Sequence, residues 1–207
     1  SVVDGHTYIE DVCKKGAVSI IIEHDIDSFP EGVSVIKVED SRYAMGMISS
    51  AFYGYPSRQM KVVGITGTKG KTTTNYMIKS MLESAGHKTG LIGTIEIIIG
   101  DKVIPASNTT PESLTTHRYL KEMLEAGMDS VVMEVSSQGL MLNRVAGIEF
   151  DYGIFTNLSE DHIGPNEHKD YEEYRMWKSK LFEMCEVGIF NADDDSFEYM
   201  SAGHSCR

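Results

Sequence analysis

Short hydrophobic runs alternate with stretches of helical periodicity along most of the chain, and this alternation predicts the secondary structure. The hydrophobic runs predict strands at 18–23, 33–38, 62–66, 130–135, 152–156 and 187–191. The apolar spacing elsewhere predicts helices at 8–15, 41–53, 71–84, 112–126 and 171–184. We expect Ser41 to be the N-cap of the second helix, and we expect the segments IEIIIG and KVIPA to form a hairpin that turns at Gly100 and Asp101. Strands that alternate with helices are typical of a wound α/β sheet.

A change in the pattern near Met60 predicts two domains. The GYPS segment at 54–57 follows a predicted helix and has the composition of a linker. We therefore expect a small, partial N-terminal α/β domain at 1–59 and a second domain at 60–207 that is built on a mostly parallel wound sheet. The chain starts almost directly in a predicted helix and stops in a polar stretch after a strand and a helix, which indicates a fragment of a longer protein.

The composition excludes several classes of protein. The 207 residues are 41% hydrophobic and include 19 glycines, a balance that is typical of globular chains. No run approaches the ~18 apolar residues that span a bilayer, so membrane insertion is not expected. A net charge of −12 without a basic cluster argues against a general nucleic-acid binder. Three cysteines without a CxxC pair are expected of a reduced, cytoplasmic protein.

The strongest chemical signal is the segment VVGITGTKGKTTT at 62–74, where a predicted strand leads through a glycine loop into a helix. Backbone N–H groups in such a loop can bind a polyphosphate, Lys71 can reach its terminal groups, and the Thr72 hydroxyl can coordinate Mg²⁺. The spacing differs from the ordinary pattern, because Ile65 and not glycine stands five residues before Gly70. The alternative is a glycine-rich turn with an incidental lysine.

Lys178 lies on the apolar face of a predicted helix, within about 60° of two tyrosines and of Leu181 and Phe182. Lys180 points the other way. Burial disfavours the charged ammonium, and a neutral amine can capture CO₂ to form a carbamate, which is an anionic ligand suited to Mg²⁺. The alternatives are a lysine that reaches solvent along its apolar stem or one that pairs with an acid.

Two further residues have the chemistry of metal ligands. Glu134 ends a predicted strand, at the edge of the sheet where α/β proteins bind ligands; a solvent-exposed glutamate is the alternative. His162 follows another strand, where a neutral imidazole can bind a metal, or where the neighbouring Asp161 can pair with it.

A polar cluster stands directly before Pro111. The side chains of Asn108, Thr109 and Thr110 can hydrogen-bond a phosphate or a carboxylate. The alternative is a simple turn before the following helix.

Four motifs occur in the order and approximate spacing found in the Mur ligases, the ATP-dependent amide ligases of peptidoglycan precursor synthesis. They are TGTKGKTTT at 66–74, NTTPES at 108–113, MEVSSQGL at 133–140 and TNLSEDH at 156–162. Together with a Tyr-x-x-x-Lys-x-x-Leu-Phe segment at 174–182, the chain looks most like the family member that adds the third amino acid to UDP-N-acetylmuramoyl-dipeptide. The family commonly has histidine where this sequence has Gln138, and its uridine-contacting segment lies at or upstream of residue 1.

The resemblance implies an incomplete ligase with ATP and Mg²⁺ as cofactors and with UDP-N-acetylmuramoyl-dipeptide and an amino acid as substrates. It implies a catalytic set of Lys71, Glu134, His162 and Lys178. It implies that ATP binds at Gly67, Thr68, Lys69, Gly70, Lys71, Thr72 and Thr73, and that the metal ligands are Thr72, Glu134, His162 and Lys178 as a carbamate. It assigns Asn108, Thr109, Thr110, Ser136 and Arg144 to the UDP-muramoyl-peptide.

In family members a C-terminal domain holds the amino acid, and none of it is expected in these residues. We therefore expect that the chain alone does not form the amide bond. We also expect a monomer. Two other interpretations stay open at this point. One is a related ligase such as a folylpolyglutamate synthetase, and the other is a P-loop NTPase that is not a ligase.

Overall fold

The computed structural model describes residues 4–26, 28, 31–161, 163–165 and 167–207. Its N-terminal part contains a two-stranded parallel sheet. Helix α1 (Ile9–Lys14) precedes strand β1 (Ser19–Ile22), and β2 (Ser34–Lys37) pairs with β1 and leads into helix α2 (Ser41–Phe52).

The predicted N-cap of α2 is wrong by one residue. Asp40 caps the helix, because its extended backbone lets the side-chain carboxylate accept the N–H of Tyr43 at 2.8 Å. Ser41 is the first helical residue, and its N–H and hydroxyl donate instead to Glu23 at 2.7 and 2.6 Å.

The rest of the chain is organised around a seven-stranded sheet. Its strands are β3 (Lys61–Thr66), β4 (Thr89–Ile92), β5 (Glu96–Ile99), β6 (Lys102–Pro105), β7 (Ser130–Glu134), β8 (Phe150–Phe155) and β9 (Cys185–Phe190). Their order across the sheet is β6-β5-β4-β7-β3-β8-β9. Pairing is parallel from β4 to β9, whereas β5 and β6 form the predicted antiparallel hairpin at one edge. The predicted fold class, a mostly parallel wound α/β sheet, is confirmed.

The helices of this part are α3 (Lys71–Ser84), α4 (Ser113–Glu125), α5 (Ser137–Met141), α6 (Tyr171–Ser179) and α7 (Phe197–Ser201). The predicted helix at 171–184 is shorter than expected, because a 3₁₀ turn at Lys180–Glu183 follows α6. Strand β4 and helix α5 were not predicted. Within the described residues, no helix is both long and apolar enough to cross a membrane.

The sheet order brings three chain segments together at the edge that is formed by the carboxyl ends of the parallel strands. Strands β4, β7 and β3 lie side by side and run parallel, so their carboxyl ends meet. The glycine loop follows β3, Glu134 ends β7, and Thr94 stands two residues after β4. This edge is the place where open α/β sheets bind ligands.

Candidate active site

The loop between β3 and α3 has the geometry of an anion-binding turn. Gly67 and Gly70 have φ angles of 148° and 82°, which favour glycine, and a Cβ at Gly67 would collide with the hydroxyl of Thr156. Gly70 is the N-cap of α3, and in the described part of the chain no side chain caps this helix. The first backbone N–H groups of α3 are therefore placed to bind a phosphate.

The segment after β8 holds this loop in place. The Asn157 side chain accepts the N–H of Lys69 and donates to the carbonyl oxygen of Lys69, both at 2.9 Å. The backbone N–H of Thr68 donates to the Asn157 carbonyl oxygen at 2.8 Å, and the Thr68 hydroxyl lies 3.1 Å from that of Tyr174. Asn157 was missed in the sequence analysis, although it stands inside the TNLSEDH motif.

Lys71 lies at the first position of α3 and turns back over the loop. Its Nζ donates to the carbonyl oxygens of Gly67 and Thr68 at 3.0 and 3.1 Å. Burial lowers the pKa of Lys71, while the negative charges of Glu134 and Asp161 oppose this shift. The Lys71 amine lies over the backbone of the glycine loop.

Glu134 is fully buried, which contradicts the alternative of a solvent-exposed glutamate at a strand end. Its carboxylate accepts the Thr72 hydroxyl at 3.0 Å, the Thr94 backbone N–H at 2.9 Å and the Thr94 hydroxyl at 3.0 Å. The adjoining carboxylate and hydroxyl oxygens of Glu134 and Thr72 are hard donors, which Mg²⁺ prefers. These two residues therefore fit the expected Mg²⁺.

Lys178 is only 1% exposed, so a side chain that reaches solvent is excluded. Its Nζ donates to the carbonyl oxygen of Gly67 at 2.7 Å and lies 4.6 Å from the centre of the Tyr174 ring. Burial lowers the pKa of Lys178 well below its usual value, the nearby charge of Lys71 lowers it further, and Asp161 opposes both. Burial and the charge of Lys71 thus both act toward the neutral amine, which is the form that a carbamate requires. Lys180 instead lies on the surface and pairs with Glu183.

A cavity of about 140 Å³ joins the glycine loop to the predicted substrate residues. Its lining comprises Lys71, Asn108, Thr109, Ser136, Ser137, Gln138, Arg144 and Lys178. Six of these eight residues were predicted as site residues from the sequence. Ser137 was missed, and it lies beside Ser136 at the start of α5.

Thr110 does not line this cavity, although it was predicted beside Asn108 and Thr109. It is fully buried, and its hydroxyl donates to the carbonyl oxygen of Glu134 and accepts the N–H of Ser136, both at 3.0 Å. Thr110 therefore connects the loop before α4 to the segment after β7, and in this way fixes the position of Ser136.

Arg144 reaches the cavity from the loop after α5 and is partly buried. Its guanidinium donates to the carbonyl oxygen of Thr110 at 3.2 Å and pairs with Glu112 at 2.8 Å. Glu112 also lies 3.5 Å from Arg42 on α2, so one carboxylate connects two arginines. A planar guanidinium in this position can bind a phosphate or a carboxylate in a bidentate way.

The remaining predicted residues lie at the margin of the site or outside the description. Thr73 and Lys69 are exposed on the first turn of α3 and on the loop before it. His162 lies outside the described residues, so its predicted metal contact stays a prediction. Thr94 was missed because a single threonine after a short strand carries no signal in the sequence.

Comparisons with known proteins show which proteins the chain is similar to. A protein of Clostridium perfringens (strain 13 / Type A) named UDP-N-acetylmuramoyl-L-alanyl-D-glutamate--2,6-diaminopimelate ligase is 50% identical over 192 residues, covering 93% of this chain and 39% of that protein. A solved structure of a ligase with the same name matches with a TM-score of 0.81 at 25% identity, over 94% of this chain and 39% of that one.

A Mycobacterium tuberculosis folylpolyglutamate synthase, solved with ADP and AMPPCP, matches with a TM-score of 0.57 at 17% identity, over 75% of this chain and 42% of that one. At that identity the likeness shows a shared fold alone.

The family assignment rests on the second part of the chain, which contains the glycine loop, Glu134 and Lys178. The chain spans about two-fifths of the length of the relatives named above. Residues 65–207 match the family model described as the Mur ligase middle domain. The chain therefore belongs to the Mur ligase family.

Proposed function

We propose that this chain is the nucleotide-binding part of an ATP-dependent amide ligase that adds the third amino acid to UDP-N-acetylmuramoyl-L-alanyl-D-glutamate. The observation that carries the proposal is one cavity that Lys71, the buried Lys178 and Arg144 all line. The relatives' names supply the substrate, and they indicate 2,6-diaminopimelate as the amino acid.

The reaction proceeds in two steps in this proposal. A carboxylate oxygen of the dipeptide attacks the γ-phosphorus of ATP, the bond to the leaving ADP breaks, and an acyl phosphate forms. The amine of the amino acid then attacks the acyl carbon, releases phosphate and gives up its proton. The protein acts mainly by positioning and charge neutralisation. Lys71 offsets the charge of the transferred phosphoryl group, while Arg144 and the Asn108–Thr109 pair orient the substrate.

Thr72 and Glu134 would hold a Mg²⁺ ion beside the nucleotide phosphates, and His162 and Lys178 would hold a second one. Bound there, Mg²⁺ supplies neutralisation of the phosphate and carboxylate charges that otherwise repel each other. For this role Lys178 reacts with CO₂ through its neutral amine, forms an N–C bond and releases one proton. The resulting carbamate carries a negative charge, whereas a protonated lysine at the same position would carry a positive charge.

Other expectations stay predictions. They are the division into a partial N-terminal UDP-substrate domain at 1–59 and a central domain at 60–207, the C-terminal amino-acid domain outside these residues, the monomeric state, and a cytoplasmic location. A folylpolyglutamate synthetase and a P-loop NTPase without ligase activity are the competing functions, and ligand binding separates them.

Thermal-shift titration tests the proposed function directly. A ligand that binds the folded state alone raises its stability by mass action, so we expect the melting temperature to rise with Mg²⁺·ATP and again with UDP-N-acetylmuramoyl-L-alanyl-D-glutamate. A folate substrate should give no shift. Stabilisation by nucleotide and folate but not by the muramoyl-peptide would favour the folylpolyglutamate reaction, and stabilisation by nucleotide alone would favour a simple NTPase.

The Arg144→Ala variant should bind the muramoyl-peptide more weakly without losing nucleotide. Hydrogen bonds to charged groups contribute about 1.5–3 kcal/mol, which corresponds to a roughly 10- to 150-fold weaker affinity. Arg144→Lys should restore little, because an ammonium lacks the bidentate geometry. Calorimetry measures the affinity for each ligand, and Arg118→Ala on the exposed face of α4 is the matched control. An unchanged muramoyl-peptide affinity in Arg144→Ala would remove this residue from the site.

A further inference from the structure

Thr94 provides two of the three hydrogen bonds that the Glu134 carboxylate accepts from described residues. Its backbone N–H donates to Glu134 Oε1 at 2.9 Å and its hydroxyl donates to Oε2 at 3.0 Å. The third donor is the Thr72 hydroxyl of the glycine-loop helix. A carboxylate with three donors has a fixed orientation, and most of that orientation comes from Thr94.

The turn after β4 is built closely around this carboxylate. A Cβ at Gly93 would lie 2.9 Å from Glu134 Oε1 and 3.1 Å from the Asn75 side-chain nitrogen. Both distances are shorter than ordinary van der Waals contacts. The absence of a side chain at Gly93 is therefore what allows the next N–H, that of Thr94, to reach the carboxylate.

The Thr94 hydroxyl also touches the predicted substrate loop. Its oxygen lies 3.0 Å from the hydroxyl oxygen of Thr109, which lines the cavity. A hydroxyl has one proton, and a carboxylate can only accept. The Thr94 hydroxyl is the donor toward both Glu134 Oε2 and the Thr109 hydroxyl oxygen, so these two acceptors share its single proton. The Thr94 hydroxyl therefore connects Thr109 to Glu134.

We infer that Thr94 is a positioning residue that fixes Glu134 for Mg²⁺ and links the metal side of the site to the muramoyl-peptide side. The inference rests on the proposed function. Residues that hydrogen-bond to a metal ligand orient it, and their removal changes metal affinity strongly. A ligand that engages Thr109 changes the acceptor that competes with Glu134 for the Thr94 proton, so occupancy of one side biases the other. Such coupling is reciprocal between the two ligands.

The test compares Thr94→Val, which removes the hydroxyl but keeps the shape and the N–H, with Thr94→Ser, which keeps the hydroxyl. Thr94 is exposed, so the valine variant should fold, and its melting temperature verifies this. Calorimetry gives the affinity for ADP with Mg²⁺ and with a chelator, and the ratio of the two isolates the metal contribution. We expect Thr94→Val to reduce this ratio about 10- to 100-fold, with metal-free ADP affinity unchanged and Thr94→Ser close to wild type.

A second readout measures coupling. In the wild type, the muramoyl-peptide should change the affinity for Mg²⁺·ADP, and this change should disappear in Thr94→Val and in Thr109→Val. Thr115→Val on α4 is the matched control, because in the part of the chain that the structure describes its hydroxyl makes no hydrogen bond. A wild-type Mg²⁺ ratio in Thr94→Val, or a loss in Thr94→Ser equal to that in Thr94→Val, would overturn the inference. Failure of the wild type itself to bind Mg²⁺·ADP or the muramoyl-peptide would overturn the proposed function instead.

Discussion

The Lys71→Ala variant is expected to lose most of its affinity for Mg²⁺·ATP while it keeps its fold. The Lys71 amine contacts loop carbonyl oxygens of Gly67 and Thr68 and no apolar side chain is needed to hold it there. In the nucleotide complex it would instead face the terminal phosphates. Truncating one member of a desolvated charge pair costs about 2–5 kcal/mol, which is a loss of about 30-fold or more in affinity.

Calorimetric titration with Mg²⁺·ATP measures this loss, and the unfolding transition in urea verifies the fold. Lys79→Ala is the matched control on the same helix, because Lys79 pairs with Glu83 away from the loop. The control should bind nucleotide as the wild type does. An unchanged affinity in Lys71→Ala would show that the glycine loop is a structural turn without a nucleotide.

The Lys178→Ala variant of the full-length protein is expected to lose ligation completely and to regain part of it with a short carboxylic acid. Lys178 is buried beside the carbonyl oxygen of Gly67, and burial there lowers its pKa well below the usual value. The neutral amine is the form that reacts with CO₂. Without the lysine the carbamate oxygens are missing, and an added carboxylate of similar size can occupy their place.

Lys180→Ala is the control two residues away, and it should change turnover little because Lys180 pairs with Glu183 on the surface. Labelling with ¹³CO₂ in the presence of Mg²⁺ and nucleotide should give a carbamate signal that Lys178→Ala lacks. Normal turnover of Lys178→Ala, or no carbamate signal in the wild type, would show that this lysine is a structural donor to Gly67.

Strands β3 and β7 in the middle of the sheet were predictable from the sequence, because they are apolar runs that are buried on both faces. Strand β4 was missed for a physical reason. It has four residues, and Gly90 in its middle packs against Met123, where a Cβ would lie 2.5 Å from the sulfur. In a sequence, a glycine that is needed for close packing cannot be distinguished from a glycine that ends a strand. Helix α5 was missed for a similar reason, since Gly139 packs against Thr110 inside a five-residue helix.

Individual site residues could be predicted where the residue type and its position along the chain indicated a chemical role. Lys71 follows a glycine loop, Glu134 ends a strand, and Lys178 lies on the apolar face of a helix. Each of these contexts can be recognised along the chain. Which of these residues meet depends on the order of the strands, and hydrophobic patterning does not reveal that β7 lies between β4 and β3. The contacts of Thr94 depend on this order, so Thr94 could not be found from the sequence, whereas Asn157 stands inside the TNLSEDH motif.

We propose that the complete enzyme joins an amino acid to the muramoyl-dipeptide through an acyl phosphate. The most direct measurement uses UDP-N-acetylmuramoyl-L-alanyl-D-glutamate with ¹⁸O in its reacting carboxylate, together with 2,6-diaminopimelate, Mg²⁺ and ATP. Mass spectrometry should detect the tripeptide product and one ¹⁸O atom in the released phosphate, because the carboxylate oxygen that attacks ATP leaves with the phosphoryl group. Release of unlabelled phosphate without the amide product would contradict this reaction.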